Sequence, residues 1–138
     1  MRYSPDASVL LAWLLKEDRG PHVSEFWTGL TTHDEMVAAM LLLPECTSVL
    51  REKAATGELQ HDECQRLVGE MLELPMTVSA ARGQFSRAVE MAERTGRVKA
   101  YDMQYLAAAE VESCRIVTID GGMRQAAIEF GLPFLFLR

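Results

Sequence analysis

A chain of 138 residues, of which 49% are apolar, is long enough to bury a core of its own, and we expect one domain that spans residues 1–138. A net charge of −6 argues against a protein that holds nucleic acid through bulk positive charge, but not against an enzyme whose acids are concentrated in one site. The apolar run VLLAWLL is too short to cross a bilayer and follows an acid instead of a basic signal-peptide flank, so we expect a cytoplasmic protein.

The first half of the chain alternates apolar runs with helical patterns. Residues 1–4 predict a short strand ended by Pro5, and residues 7–16 form a dense apolar segment that EDRGP interrupts. Residues 22–30 have the spacing of a helix. The run MVAAMLLL predicts a second strand, after which Pro44 opens the helix PECTSVLREKAATG as a first-turn proline.

The second half repeats this alternation. A helix is predicted from about His61 to Leu72, then a strand around Pro75, then an amphipathic helix over residues 81–95. The later segments are a helix in YDMQYLAAAEVES, a buried strand in CRIVTID, a helix in MRQAAIEFG and an apolar C-terminal strand in PFLFL. This order predicts an α/β sandwich around a mostly parallel sheet, whose active site would lie at the carboxyl ends of the strands.

Cysteines and histidines form no recognisable metal motif. The three cysteines lie far apart and no CxxC pair occurs, so we expect reduced, structural thiols. The three histidines are equally dispersed and have no partner at helical spacing. A zinc site built from these residue types is therefore disfavoured.

Four acids stand apart from those in polar helix faces. Asp6 directly precedes the apolar run in SPDASVLLAWLL, and Asp120 ends the buried strand CRIVTID, on the same face as Thr118. Asp102 and Glu45 lie in the first turns of predicted helices, on or beside apolar faces.

Each of these acids also has a structural explanation. A first-turn acid stabilises the helix dipole by roughly 0.3–1 kcal/mol. An aspartate before Gly121-Gly122 is typical of a turn, and Asp6 is suited to cap the helix that comes after it, with help from Ser8. A single metal site would explain all four, because clustered carboxylates repel one another unless a cation neutralises them. Ligands that are all oxygen select Mg²⁺ or Mn²⁺ over zinc, and such a site suits phosphodiester hydrolysis.

The sequence resembles the PIN-domain ribonucleases, and more narrowly the VapC-type toxins of toxin–antitoxin pairs. The resemblance is carried by four ordered blocks that span nearly the whole chain: DASVLLAWLL, LLLPECTSVLREKAATGEL, YDMQYLAAAE and VTIDGGMRQAA. It implies an α/β/α sandwich and a Mg²⁺- or Mn²⁺-dependent endoribonuclease that uses water as the nucleophile and leaves a 5′-phosphate on one product. It also implies a toxin that arrests translation, a cognate antitoxin that occupies the active-site groove, and a homodimer.

The resemblance also implies the site residues. The family's acidic quartet falls on Asp6, Glu45, Asp102 and Asp120. Asp6 and Asp102 correspond to the acids attached most directly to the metal, whereas the other two would complete the pocket directly or through water. Ser8 and Thr118 match hydroxyl positions that orient an acid or a metal-bound water.

Basic and aromatic residues near the acids are candidate contacts to RNA or to partners. Arg97, Lys99 and Arg124 are candidates for phosphate contacts, with solvated surface charge as the alternative. Trp13 and Trp27 suit packing in the core or at an antitoxin interface better than stacking on bases.

Two features depart from the family pattern. Pro5 removes a backbone donor directly before Asp6, so we expect a shortened first strand. No further acid closely follows Asp120, so we expect one tightly held ion, with a second recruited by substrate.

Two other functions remain open beside the toxin. One is a PIN nuclease that processes RNA without an antitoxin, and the other is a catalytically silent PIN scaffold that binds partners. The intact quartet argues against the silent scaffold, whereas the neighbouring gene would separate the first two. The sequence leaves open which RNA is cleaved.

Overall fold

The structure is a computed structural model that describes residues 1–17, 21–97 and 100–138. The strands are β1 (Arg2–Pro5), β2 (Glu35–Ala38), β3 (Met76–Val78), β4 (Arg115–Thr118) and β5 (Phe134–Phe136). The helices are α1 (Ala7–Leu14), α2 (Pro21–Thr28), α3 (Leu42–Ala55), α4 (His61–Glu73), α5 (Gly83–Arg94), α6 (Tyr101–Val111) and α7 (Gly121–Glu129). Within the described ranges, none of these helices has the length and hydropathy needed to cross a membrane.

The five strands form one sheet in the order β3-β2-β1-β4-β5, and every neighbouring pair is parallel. Parallel neighbours require crossover connections, and the right-handed rule places α1 to α4 on one face of the sheet and α5 to α7 on the other. Contacts of α1 with α2, α3 and α4, and of α5 with α6, agree with these two layers. The predicted α/β/α sandwich is confirmed, with a sheet that is wholly parallel.

The direction of the crossovers reverses at β1. The chain moves from β1 outward through β2 to β3, and then returns to place β4 on the other side of β1. In open α/β sheets, ligands bind in the crevice at the carboxyl ends of the strands where this reversal occurs. The fold therefore predicts that the residues directly after β1 and β4 form a binding site.

The core that fixes these strand ends is continuous across both faces of the sheet. Leu10 of α1, Leu42 of α3, Leu106 of α6 and Ile116 of β4 are all fully buried. Burying a side chain of this size stabilises the fold by roughly 1.5–3 kcal/mol. The three cysteines are also buried and form no disulfide, as the sequence predicted.

Pro5 ends β1 without disturbing the backbone of Asp6. In a parallel strand, successive N–H groups point to opposite sides, and the Asp6 N–H points to β4, where it donates to Val117 O at 3.0 Å. The missing N–H of Pro5 would point toward β2, whose pairing with β1 stops at Tyr3. The proline therefore limits the pairing of β1 with β2, whereas Asp6 keeps an extended conformation, with φ −88° and ψ 176°.

Two helices begin earlier than their sequence patterns predict. α3 begins at Leu42, so Pro44 is its third residue, where a backbone N–H would lack an intrahelical partner in any case. α7 begins at Gly121 and not at Met123, because Asp120 caps it and Asp120 Oδ1 accepts a hydrogen bond from Gly122 N at 2.7 Å.

Candidate active site

The topology brings the four predicted acids to one edge of the sheet. Asp6 directly follows β1, Glu45 lies in the first turn after β2, and Asp120 follows β4. All three therefore lie at the carboxyl edge of parallel strands. Asp102 lies in the first turn of α6, which runs back along the sheet before β4, so the start of this helix lies at the same edge.

Asp6 is the buried member of the group, with 3% of its surface exposed. Its Oδ1 accepts hydrogen bonds from Ser8 Oγ at 2.5 Å and from Val9 N at 3.3 Å, and its Oδ2 accepts one from Thr118 Oγ1 at 2.5 Å. Burial raises the pKa of Asp6, these hydrogen bonds oppose the rise, and the charge of Asp120 adds to it. Each carboxylate oxygen has further acceptor capacity, so these bonds do not preclude a ligand role.

The two hydroxyls that bind Asp6 also hold the backbone directly after β4. Thr118 Oγ1 accepts from Asp120 N at 2.9 Å, and Ser8 Oγ accepts from Ile119 N at 3.2 Å. Ser8 and Thr118 therefore each donate to the carboxylate and accept from the main chain. Together with the backbone bond from Asp6 N to Val117 O, these hydroxyls join the carboxyl ends of β1 and β4.

Asp102 and Asp120 share a small cavity of about 50 Å³, whose lining residues are Arg97, Asp102, Met103, Asp120, Gly122 and Met123. Both acids are exposed. Within the described part of the chain, the Asp102 carboxylate makes no hydrogen bond or ion pair. The Arg97 guanidinium lies 3.9 Å from Met103 Sδ and has no carboxylate partner in those same ranges. The cavity therefore combines two available carboxylates with one available guanidinium.

Glu45 is held by Tyr105, a buried residue of α6. The buried Tyr105 hydroxyl donates a hydrogen bond to Glu45 Oε2. Burial raises the pKa of Tyr105, and the hydrogen bond to Glu45 raises it further, so the phenol remains a donor. Burial also raises the pKa of the neighbouring Cys46 thiol to about 12, which removes it as a thiolate ligand at neutral pH.

Two further arginines, Arg124 and Arg138, lie near Asp120: Arg124 in the helix that Asp120 caps, and Arg138 in a second cavity that includes Asp120. Arg124 is exposed, and its guanidinium carbon lies 5.0 Å from the centre of the Phe136 ring, whereas that of Arg138 lies 5.7 Å from the same ring. Arg138 Nε donates to Ile119 O at 3.0 Å, and Arg138 lines a cavity of about 320 Å³ together with Ser8 and Asp120. Of the other predicted phosphate contacts, Lys99 lies outside the described residues.

Tyr105 and Arg138 are the site residues that sequence reasoning missed. Tyr105 was visible as the i+3 neighbour of Asp102 on one face of α6. Arg138 closely follows β5, and the residues after a strand of a parallel sheet lie at its carboxyl edge. The sequence placed both residues near the acids, but it did not specify that Tyr105 contacts Glu45 or that Arg138 contacts Ile119.

The donor set fits a hard divalent cation. Within residues 1–17, 21–97 and 100–138, no three acidic, histidine or cysteine side chains are grouped closely enough to hold a metal ion by themselves. Mg²⁺, however, usually keeps several waters and is bound by one or two carboxylates plus substrate phosphates. Asp102 and Asp120, which line one cavity, match that requirement, and the described histidines are exposed and distant in sequence.

The fold and site define an α/β protein with an acidic centre at the reversal point of a parallel sheet. The family model of the PIN domain matches residues 3–129, and the chain therefore belongs to the PIN domain family. This confirms the family resemblance read from the sequence. A comparison with curated proteins finds no significant match.

Solved structures share this fold at low sequence identity. VapBC2 from Rickettsia felis, bound to a promoter DNA fragment, superposes with a TM-score of 0.72 at 10% identity over 100% of both chains. VapBC-1 from nontypeable Haemophilus influenzae gives 0.69 at 18% identity, with 99% of this chain and 98% of that chain covered. FitAB bound to the IR36 DNA fragment gives 0.67 at 14% identity, with 97% and 94% covered. At these identities the likeness establishes the fold.

Proposed function

We propose that this protein is a Mg²⁺- or Mn²⁺-dependent endoribonuclease that acts as the toxin of a toxin–antitoxin pair. The observation that carries the proposal is the cavity shared by Asp102, Asp120 and Arg97 at the carboxyl edge of the sheet. Membership of the PIN domain family supports a nuclease, and a solved structure with this fold from Klebsiella pneumoniae is a toxin–antitoxin complex. The family match over residues 3–129 is compatible with one domain over the whole chain.

Each residue has a distinct task in this proposal. Asp102 and Asp120 would hold the cation, Asp6 and Glu45 would complete the pocket directly or through water, and Ser8 and Thr118 keep Asp6 oriented through their hydrogen bonds. When bound, Mg²⁺ or Mn²⁺ supplies activation of water and neutralisation of charge on the phosphoryl oxygens. Arg97 and Arg138 line two cavities that both include Asp120, and in this proposal they contact phosphates of the RNA.

The central test is Asp102→Asn, with cleavage of RNA measured in Mn²⁺ or Mg²⁺. Loss of the ligand charge should reduce cleavage by at least about 100-fold, because removing a metal-site group costs several kcal/mol of transition-state stabilisation. The fold should be retained, since the Asp102 side chain is exposed and makes no hydrogen bond or ion pair to the described residues. Asp62→Asn, which changes an exposed first-turn aspartate of α4, is the matched control and should cleave normally.

Two results would contradict the site assignment. One is cleavage that persists in Asp102→Asn. The other is cleavage by the unchanged protein in excess EDTA. A 5′-hydroxyl on the downstream product would contradict hydrolysis by activated water, because that reaction leaves the phosphate there.

The toxin role is tested separately in cells. Expression of the unchanged chain should arrest growth, Asp102→Asn should not, and co-expression of a small DNA-binding protein encoded next to the gene should relieve the arrest. RNA cleavage in vitro without growth arrest would overturn the toxin role and favour a nuclease of RNA processing. Binding of such a partner without any cleavage would favour the silent scaffold.

Two surfaces suit the proposed partners. A cleft of about 560 Å³ between α1 and α2 has an apolar floor that includes Trp13 and Val23, and charged residues at its rim, which suits an amphipathic antitoxin segment. A shallower cleft is lined by Leu41, Phe85 and Tyr101, of which the two aromatic residues are exposed. We propose that a second copy of the chain covers it.

A further inference from the structure

Tyr105 joins the two helices that carry Glu45 and Asp102. These acids lie in the first turns of α3 and α6, and neither helix has a side-chain hydrogen bond at its N-cap. The Tyr105 hydroxyl, on a residue only 2% exposed, donates to Glu45 Oε2 across 60 positions of sequence. Tyr105 is the i+3 neighbour of Asp102, so both side chains lie on the same face of α6. The hydrogen bond to Glu45 is therefore made from the face that carries Asp102.

This hydrogen bond uses only one of the two oxygens of Glu45. Within the part of the chain that the structure describes, Oε1 has no hydrogen-bond partner, and Glu45 lines a cleft of about 320 Å³ with Pro44, Ser48 and Tyr101. A free glutamate side chain loses rotamer freedom when it becomes a ligand. A bond that orders the carboxylate beforehand removes part of that loss from cation binding.

We propose that Tyr105 is a positioning residue, whose hydroxyl fixes Glu45 through Oε2 and leaves Oε1 available to the divalent cation or to a water on it. This inference rests on the metal-dependent activity proposed above. Outer hydrogen bonds to metal-binding carboxylates commonly change metal affinity by about 10- to 100-fold when they are removed. The alternative is that Glu45 only satisfies a buried phenol, which needs some acceptor.

The test measures Mn²⁺ binding alone, by isothermal titration calorimetry without RNA. Tyr105→Phe keeps the buried ring and should weaken Mn²⁺ binding by about tenfold. Tyr3→Phe is the matched control, since Tyr3 packs its ring edge-on against Phe26 with centroids 5.3 Å apart and its hydroxyl has no hydrogen bond in the described ranges. Its Mn²⁺ affinity should equal that of the unchanged protein.

A double-mutant cycle separates positioning from packing. Glu45→Ala should itself weaken Mn²⁺ binding, and Tyr105→Phe in that background should have no further effect, because the hydroxyl acts only through the carboxylate. An undiminished effect of Tyr105→Phe in the Glu45→Ala background would overturn the proposal. So would a Tyr105→Phe protein that is folded, by circular dichroism, and binds Mn²⁺ as tightly as the unchanged chain.

The outcomes also separate this inference from the proposed function. RNA cleavage that depends on Mn²⁺, together with unchanged Mn²⁺ affinity in Tyr105→Phe, overturns the positioning role alone. If Tyr105→Phe weakens Mn²⁺ binding but the unchanged protein cleaves no RNA, the positioning role is supported and the ribonuclease is overturned. An unchanged protein that binds no Mn²⁺ at millimolar concentrations without RNA overturns the positioning role, and one that also cleaves no RNA in Mn²⁺ overturns both.

Discussion

The two halves of the acidic edge are held in different ways. In the strand half, Asp6 and Asp120 are bound to Ser8 and Thr118 by side-chain and backbone hydrogen bonds, and both acids cap helices. In the helix half, Glu45 and Asp102 lie at the starts of α3 and α6, and Tyr105 provides the one hydrogen bond to either carboxylate among the described residues. Both carboxylates of the strand half accept hydrogen bonds from the backbone, whereas neither carboxylate of the helix half does so among the described residues.

This contrast shows that structural and functional explanations of an acid need not compete. Asp6 caps α1 by accepting from Val9 N, and Asp120 caps α7 by accepting from Gly122 N, yet both remain at the carboxyl edge beside the cavities. Substitutions in the strand half should therefore cost stability, with cation binding also affected at Asp120, whereas substitutions in the helix half should mainly cost cation binding. Two measurements test the stability role of the strand half, and a third tests the arginine beside Asp120.

The largest effect on stability is expected from Thr118→Val. Valine fills the same volume but removes the buried donor to Asp6 Oδ2 and the partly buried acceptor of Asp120 N. Two lost partners should lower the free energy of unfolding by about 3 kcal/mol. Urea denaturation in EDTA measures it, with Thr77→Val as the control, because Thr77 is an exposed strand residue. Equal effects of the two substitutions would show that the strand half is not held by these bonds.

A smaller effect is expected on the pH dependence of stability when Asp6→Asn is compared with the unchanged protein in the absence of metal. Burial raises the folded-state pKa of Asp6, so the contribution of this group to stability is complete below its unfolded-state pKa and is lost as pH rises through the folded-state value. Asparagine does not titrate. The stability of Asp6→Asn relative to the unchanged protein should therefore increase from pH 3 to pH 8.

Urea denaturation at a series of pH values in EDTA measures this difference. Asp62→Asn serves as the control for the loss of one surface carboxylate. The free energy of unfolding of Asp6→Asn relative to the unchanged protein could instead stay constant or fall with rising pH. That result would mean that burial does not dominate the pKa of Asp6.

The smallest effect is expected from Arg138→Gln, on RNA binding. Removing one phosphate contact should weaken binding of single-stranded RNA several-fold and reduce the slope of log affinity against log salt by about 0.7. Arg138→Lys should keep the slope, and Arg51→Gln, on an exposed turn of α3, should change neither quantity. Fluorescence anisotropy in Ca²⁺ at several salt concentrations measures both. An unchanged slope in Arg138→Gln would remove Arg138 from the RNA path.

Much of the fold was readable from local pattern. The alternation of apolar runs with helical periods specified a parallel sheet, and CRIVTID correctly predicted a buried strand that ends just before Asp120. Because every strand runs in the same direction, knowing which acids follow strands or open helices was enough to place all four at one edge. The start of α7 was misjudged, because Asp120 extends the helix backward by capping it.

The sequence by itself determined the order of elements and the edge on which Asp6, Glu45, Asp102 and Asp120 lie, because both follow from periodicity within single segments. Only the tertiary structure decided which groups meet. Thr118 binds Asp6 across 112 positions, Tyr105 binds Glu45 across 60, and Arg138 reaches Ile119. Local pattern reports a residue's face but not its partner, since the partner depends on strand order and on how the crossovers close around the core.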